Sequence, residues 1–136
     1  MTARLFTPRE ANTALADVRP VAERLVALRR RLRELESAQR GVVTAIGGNG
    51  SGYVAGDLNA AREEFSTRVA EVDACLRQLD ELGVLLKDPD TGLLDFPSRR
   101  GADDVLLCWH VDEDTVDYWH GIDDGFRGRK PIDWDE

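Results

Sequence analysis

Three residues in the C-terminal third of the chain have side chains with metal-binding or nucleophilic chemistry: Cys108, His110 and His120. Thiolate and imidazole groups are the ligands that zinc and other transition metals prefer. A thiol with a neighbouring imidazole base is also the arrangement of a cysteine nucleophile. The pattern therefore supports the hypothesis of a metal-binding protein, or of a metal- or thiol-dependent enzyme, centred on these three residues. It does not identify a reaction.

Two predicted β-strands, joined by the polar turn 112–115, carry these residues. Alternation along the first strand puts Cys108 and His110 on the same face. A regular hairpin puts Cys108 opposite Trp119, so that His120 points to the other face. The hairpin then separates the ligands, and a shared metal needs a β-bulge or a carboxylate from another element. The competing interpretation is a buried cysteine with histidines packed among aromatic rings.

A second group of residues is typical of a binding surface. Trp109, Tyr118 and Trp119 are aromatic, and Arg127 and Arg129 belong to a basic cluster in an acidic tail. Exposed aromatic and arginine side chains are common anchors in protein interfaces. Because glycines flank the arginines, backbone amides and guanidinium groups could also converge on a small anion. The alternative is internal pairing of the arginines with nearby acids, namely Asp123, Asp124 and Asp133.

A long helical arm is predicted over residues 8–46. Thr7 and Glu10 form a capping-box pattern at its start. Apolar residues then recur at alternating steps of three and four, which is the seam of a coiled coil. Pro20 interrupts this seam, because its ring removes one hydrogen bond and clashes with the preceding turn. We expect either a short first helix that ends near Asp17 or a kink at Pro20.

The rest of the chain divides into four segments. Residues 47–56 form a Gly-rich flexible loop, and residues 57–82 carry a second apolar stripe that predicts a helix. Residues 83–121 contain four short apolar runs separated by turns, which predicts an antiparallel β-meander. Residues 122–136 are predicted to be an irregular acidic tail. The predicted fold class is therefore α+β, a long antiparallel helical hairpin packed on a small C-terminal meander.

Length and charge limit the possible function. The chain has 136 residues, which favours one domain, and it carries 18 basic against 26 acidic side chains, a net charge of −8. We expect arginines of the first helix to face acids of the second. The acidic balance argues against nucleic-acid binding, since phosphates need compensating Lys and Arg. The absence of a membrane span or secretory signal, together with two isolated cysteines, predicts a cytoplasmic protein.

Helix length leads to a prediction about assembly. A helix of about 26 residues is about 39 Å long, comparable with the diameter of a whole compact domain of this size. A four-stranded sheet cannot cover two such helices, so part of their apolar surface should remain uncovered. We expect a second copy to cover it, which gives a homodimer through the helices or the sheet.

Short motifs are spread along the chain: Phe6–Asn12, Val18–Pro20, Gly83–Asp88, Gly92–Pro97, Cys108–Trp109, Trp119–His120 and Gly125–Pro131. Together they resemble a bacterial family catalogued as domain of unknown function 2203. The resemblance covers nearly the whole chain apart from the Gly-rich loop, and its most specific part is the C-terminal third. It implies no catalytic role for any residue.

Two functional hypotheses follow. The leading one is a small dimeric interaction or scaffold protein without a cofactor, which binds a protein partner or a small anion at the Arg127/Arg129 loop. The alternative is a centre formed by Cys108, His110 and His120, with a transition metal such as zinc as its cofactor. They differ in whether those three side chains converge in an accessible cleft.

Overall fold

The computed structural model describes the backbone of residues 4–48 and 55–134 and the side chains of residues 4–40 and 58–134. Over these ranges the chain has two long helices packed together and a five-stranded antiparallel sheet. The predicted α+β class is therefore confirmed. The predicted Gly-rich loop, 47–56, lies for the most part outside the described residues, and the helices reach its ends at Gly48 and Ala55.

Helix α1 spans Pro8–Gly48 and begins at the predicted capping box. The Glu10 amide donates to Thr7 Oγ1 at 3.1 Å, and the Thr7 amide donates to Glu10 Oε1 at 2.9 Å. The hydrogen bonds from Thr7 also hold the pKa of the Glu10 carboxyl below its ordinary value. Two otherwise unpaired amides at the helix start are thereby satisfied.

Pro20 lies inside α1 and does not end it. The predicted short first helix that ends near Asp17 is therefore wrong. Val18 and Ala22, on either side of the proline, are fully buried in the core. Their packing holds the helix together across Pro20 and outweighs the roughly 3 kcal/mol that a proline inside a helix costs.

Helix α2 spans Ala55–Leu82 and packs along α1. As predicted, arginines of α1 face acids of α2. Arg24 Nη2 lies 2.9 Å from Glu71 Oε2, and Arg31 donates to Glu64 at 2.6 Å. Exposed pairs of this kind contribute on the order of 0–1 kcal/mol each, so apolar packing supplies most of the stability of the hairpin. Within the described residues, neither helix is both long and apolar enough to cross a lipid bilayer.

The sheet follows the order of the chain: β1 (Leu85–Asp88), β2 (Leu93–Arg100), β3 (Asp103–Trp109), β4 (Tyr118–Gly121) and β5 (Lys130–Pro131). All neighbouring strands are antiparallel. The first four are the predicted meander. The tail, predicted to be irregular, adds β5 and a 3-10 turn at Phe126–Gly128. A two-residue strand that contains a proline has too little pattern to be recognised from sequence.

The two faces of the sheet have different surroundings. Apolar, fully buried side chains cover the face toward the helices: Leu94, Phe96, Leu107 and Trp109. Alternation puts Asp95 and Cys108, which pair across β2 and β3, on the other face. The segment after β4 lies over this second face, since Ile122 and Phe126 line the same cavity as Cys108.

The register of β4 differs by one residue from that of a regular hairpin. Cys108 lies opposite Tyr118, so Cys108 and His120 share one face and their predicted separation is wrong. The reason lies in α1. Asn12 Oδ1 accepts from the Val116 amide at 2.7 Å, and Asn12 Nδ2 donates to the Val116 carbonyl at 3.2 Å. Because these two bonds tie the buried Val116 to α1, Val116 belongs to the loop before β4 and not to the strand.

The substitution Asn12→Ala should destabilise the fold by about 2–3 kcal/mol, because it leaves both backbone groups of Val116 without their partners. Urea unfolding followed by circular dichroism measures this loss. Asn59→Ala, at an exposed position of α2, is the control and should change the free energy of unfolding by less than about 0.5 kcal/mol. Equal effects of the two substitutions would contradict the anchoring role of Asn12.

Candidate metal centre

Asp95, Cys108 and His120 meet on the face of the sheet that points away from the helices. One oxygen, sulfur or nitrogen atom of each side chain lies within 4.8 Å of the corresponding atoms of the other two. The three residues are only 1%, 1% and 3% exposed, respectively. Three adjacent strands supply them, so the sheet itself holds their backbones at a fixed spacing. The structure thus brings together two of the three predicted ligands and adds a carboxylate.

Sequence reasoning did not identify Asp95. Its signal is an acid inside the apolar run Leu93–Phe96, where a charged side chain is unexpected unless it has a buried partner. The run predicts a strand, and the acid could have been flagged as a candidate site residue. Its partners could not be named, because they depend on how β2, β3 and β4 align.

His120 has one ring nitrogen on a backbone carbonyl and the other on Asp95. Nδ1 lies 2.7 Å from the Gly121 carbonyl oxygen, and because a carbonyl only accepts, Nδ1 carries the hydrogen. Nε2 lies 3.1 Å from Asp95 Oδ1. In the neutral ring Nε2 is also an acceptor, so this contact needs a proton or another cation between the two atoms.

Asp95 shares its cavity with a lysine, Lys87. In the part of the chain that the structure describes, its carboxylate bonds to no arginine or lysine, and its one side-chain partner is His120. Arg129, which acts on the neighbouring thiol, is itself paired with Glu113 at 2.5 Å. A buried carboxylate without a counterion is unfavourable by several kcal/mol. A cation between Asp95 and His120 would compensate this charge.

The Cys108 thiol is protonated at neutral pH in the absence of such a cation. Burial, with the nearby Asp95 carboxylate, raises its pKa to about 11, and the Arg129 guanidinium only partly opposes this. A reactive cysteine needs a lowered pKa, so the geometry does not support a thiol nucleophile. A bound metal ion would displace the thiol proton, because only the thiolate is a good ligand.

A cavity of about 190 Å³ adjoins the cluster, and Leu93, Ile122 and Phe126 form part of its wall. It is large enough for a few water molecules or a small ligand group. A metal ion held by the three side chains would therefore keep a position open toward this space. Structural zinc sites are closed by four protein ligands, whereas an open position is typical of catalytic ones.

His110 lies outside the cluster, so the predicted set of Cys108, His110 and His120 is corrected to one with Asp95. His110 follows the end of β3, where its Nδ1 accepts from the Asp112 amide at 3.3 Å. It lines a second cavity of about 350 Å³, which shares Phe126 with the first. Alternation fails here because the chain turns at His110 instead of continuing the strand.

The predicted aromatic surface is only partly at the surface. Trp109 is fully buried, and its Nε1 donates to the Glu113 carbonyl at 2.9 Å, so its predicted exposure is wrong. The cause is that Trp109 lies on the helix-facing side of β3. Tyr118 and Trp119 are half-buried, each with a cation over its ring at 4.3 and 4.8 Å. A recognition role for these two residues stays a prediction.

The two arginines of the tail have different environments. Arg129 is turned inward and pairs with Glu113, so internal pairing occurs, but with an acid other than the three aspartates considered from sequence. Arg127 is exposed. A protein or anion partner at this loop stays a prediction and would meet mainly Arg127.

Comparison with known proteins relates the chain to one family. A family model described as "Uncharacterized conserved protein (DUF2203)" matches residues 4–132. The match includes all three residues of the cluster and the Asn12 anchor. No curated protein and no solved structure matches the chain. The family description names no reaction, ligand or partner.

Burial of the Cys108 thiol predicts slow alkylation. In a Cys75→Ser background with chelator at pH 8, the native chain should react with iodoacetamide about 100-fold more slowly than the urea-unfolded chain, because its thiolate fraction is lower. Mass spectrometry measures both rates. Since the folded pKa lies above the ordinary 9.0, the neutral thiol stabilises the fold below pH 9, and this contribution is lost as the pH rises through about 11. Equal native and unfolded rates would show that the thiol is accessible and ionised.

Proposed function

The chain belongs to the DUF2203 family, and we propose that it binds one transition-metal ion of the zinc class through Asp95, Cys108 and His120. The observation that carries the proposal is the convergence of three buried groups of the preferred ligand types within 4.8 Å. In a tetrahedral zinc site, ligand atoms stand about 3.3–3.8 Å apart, as bond lengths of about 2.0–2.3 Å require. Side-chain adjustments of about 1 Å therefore suffice to close around the ion.

Charge balance is compatible with a bound metal ion. A divalent ion with one carboxylate, one thiolate and one neutral imidazole forms a neutral group, which is the form that a buried site tolerates best. The Nδ1 hydrogen bond of His120 to a backbone carbonyl is typical of metal-binding histidines, because it fixes the ring and leaves Nε2 free to bind.

The open position supports a role beyond structural zinc. Three protein ligands beside a cavity leave room for a water molecule or a ligand group on the metal. Such an ion acts as a Lewis acid or lowers the pKa of its bound water. The proposed class is therefore a metal-binding protein with an exchangeable fourth ligand.

A second candidate function is that of a dimeric interaction protein. One surface of α2 supports it. Val69 and Leu76 are 44% and 39% exposed, and their seven-residue spacing puts them on one face of the helix. An exposed apolar pair of this kind can pack against the same pair of a second copy in an isologous contact.

The metal proposal predicts one zinc ion per chain. Asp95→Asn, Cys108→Ser and His120→Gln should each lower zinc affinity by more than about 100-fold, since loss of an outer-shell partner alone costs 10–100-fold. His110→Gln and Cys75→Ser are matched controls and should bind like the wild type. Competition with a chromophoric chelator measures the affinities. Equal affinities of the Cys108→Ser and His110→Gln variants would contradict the ligand assignment.

The dimer proposal predicts a particle with twice the mass of one chain at micromolar concentration. Leu76→Asp should convert it to a monomer, because the new carboxylate would be buried against the partner helix. Gln78→Asp, exposed on another face of α2, should leave the dimer intact. Size-exclusion chromatography with light scattering gives the mass. A monomeric wild type would rule out this second candidate without affecting the metal centre.

A further inference from the structure

We infer that Arg129 is a positioning residue of the metal centre, whose guanidinium group donates a hydrogen bond to Cys108 when that residue is the thiolate ligand of the metal. This role rests on the proposed metal binding and adds a fourth side chain to the three ligands. Arg129 lies outside the ligand set, on the segment that covers the second face of the sheet.

The starting observation is an unsatisfied donor. The Arg129 side chain is only 15% exposed, and its Nε is buried without a hydrogen-bond partner. Among the residues that the structure describes, it is the one buried side-chain nitrogen or oxygen in this condition. An unpaired buried donor is unfavourable by about 1–3 kcal/mol, so a group that can accept from it stabilises the protein.

Four contacts hold the guanidinium group in place. Its central carbon lies 4.3 Å from the ring centre of Tyr118 and 4.6 Å from that of Phe126. Nη2 donates to Glu113 Oε1 at 2.5 Å and lies 3.4 Å from the Cys108 carbonyl oxygen. The aromatic rings and the carboxylate therefore fix the position of the charged group beside Cys108.

The free donor matches the ionised form of Cys108. The guanidinium group lies beside Cys108, since its Nη2 is 3.4 Å from the Cys108 carbonyl oxygen, and its charge opposes the rise in the pKa of the thiol. A neutral thiol is a weak acceptor, whereas a thiolate accepts strongly. Zinc binding replaces the S–H bond of Cys108 with a Zn–S bond and releases the proton to solvent, without any change of oxidation state. The product is the acceptor that the Arg129 donor lacks in the metal-free protein.

The direction of the donated hydrogen bond matters more here than the charge of the Arg129 side chain. Glu113 already neutralises Arg129, and Glu113 itself is fixed by the His110 amide, which donates to its Oε1 at 3.0 Å. A lysine at position 129 would preserve the ion pair but would lack the planar group with its Nε–H. Loss of the planar donor should therefore weaken the centre even when the charge is kept.

The test uses the full chain loaded with cobalt(II) or zinc and the variants Arg129→Met and Arg129→Lys. Without the donated hydrogen bond, the thiolate holds more electron density. The thiolate-to-cobalt absorption band should therefore move to longer wavelength in both variants, and alkylation of zinc-bound Cys108 should become about tenfold faster. Zinc affinity should fall about tenfold, the value of one charge-assisted hydrogen bond. Arg127→Met, exposed on the same turn, should match the wild type in every measurement.

Two results would overturn the inference, and they differ from each other. If the wild type binds cobalt with a thiolate band and both Arg129 variants keep the same band and alkylation rate, Arg129 has no role at the metal, although the metal centre stands. If the wild type shows no thiolate band at all, the metal centre itself fails and the role of Arg129 fails with it. The lysine variant keeps the ion pair with Glu113, so it controls for a general loss of structure in the methionine variant.

Discussion

The contact between Asn12 and Val116 is the interaction on which the rest of the site depends. One side-chain amide satisfies both backbone groups of a buried loop residue, much as a neighbouring strand would. Because side chains alternate along a strand, a shift of one residue in β4 would turn His120 toward the helices and leave Asp95 and Cys108 without an imidazole. Helix α1 thus determines the chemistry of a sheet face that it does not contact.

The charged pairs of the described residues differ in burial. Ion pairs such as Arg100 with Asp133, at 2.7 Å, are exposed and contribute little. The buried pair of Asp95 and His120 is different, because replacing buried ionic groups with apolar ones of similar size is often neutral or stabilising. Packing alone therefore does not explain why Asp95 and His120, and not apolar residues, occupy these buried positions. Buried titratable groups beside a cavity are typical of functional sites.

The sequence allowed correct prediction of those parts that local interactions determine. The capping box at Thr7 and Glu10, the helical periodicity of α1 and α2 and the apolar runs of the first four strands all depend on residues that are close in sequence. The continuity of α1 through Pro20, the register of β4 and the place of Asp95 in the cluster depend on contacts between distant elements. Burial of the residues beside Pro20 outweighs a local preference, and a contact from α1 overrides the regular hairpin.

The sequence distance spanned by these contacts has a consequence for folding. Asn12 and Val116 are 104 positions apart, and Ser98 donates to the Phe6 carbonyl across 92 positions. Joining such distant segments costs loop-closure entropy before the contacts are gained, so pairings of this kind form late. Until the first helix has docked, the contact that sets the register of β4 and puts His120 beside Cys108 is absent. If the proposed metal site forms, metal uptake would follow the docking of α1 on the segment before β4 and would report that folding is complete.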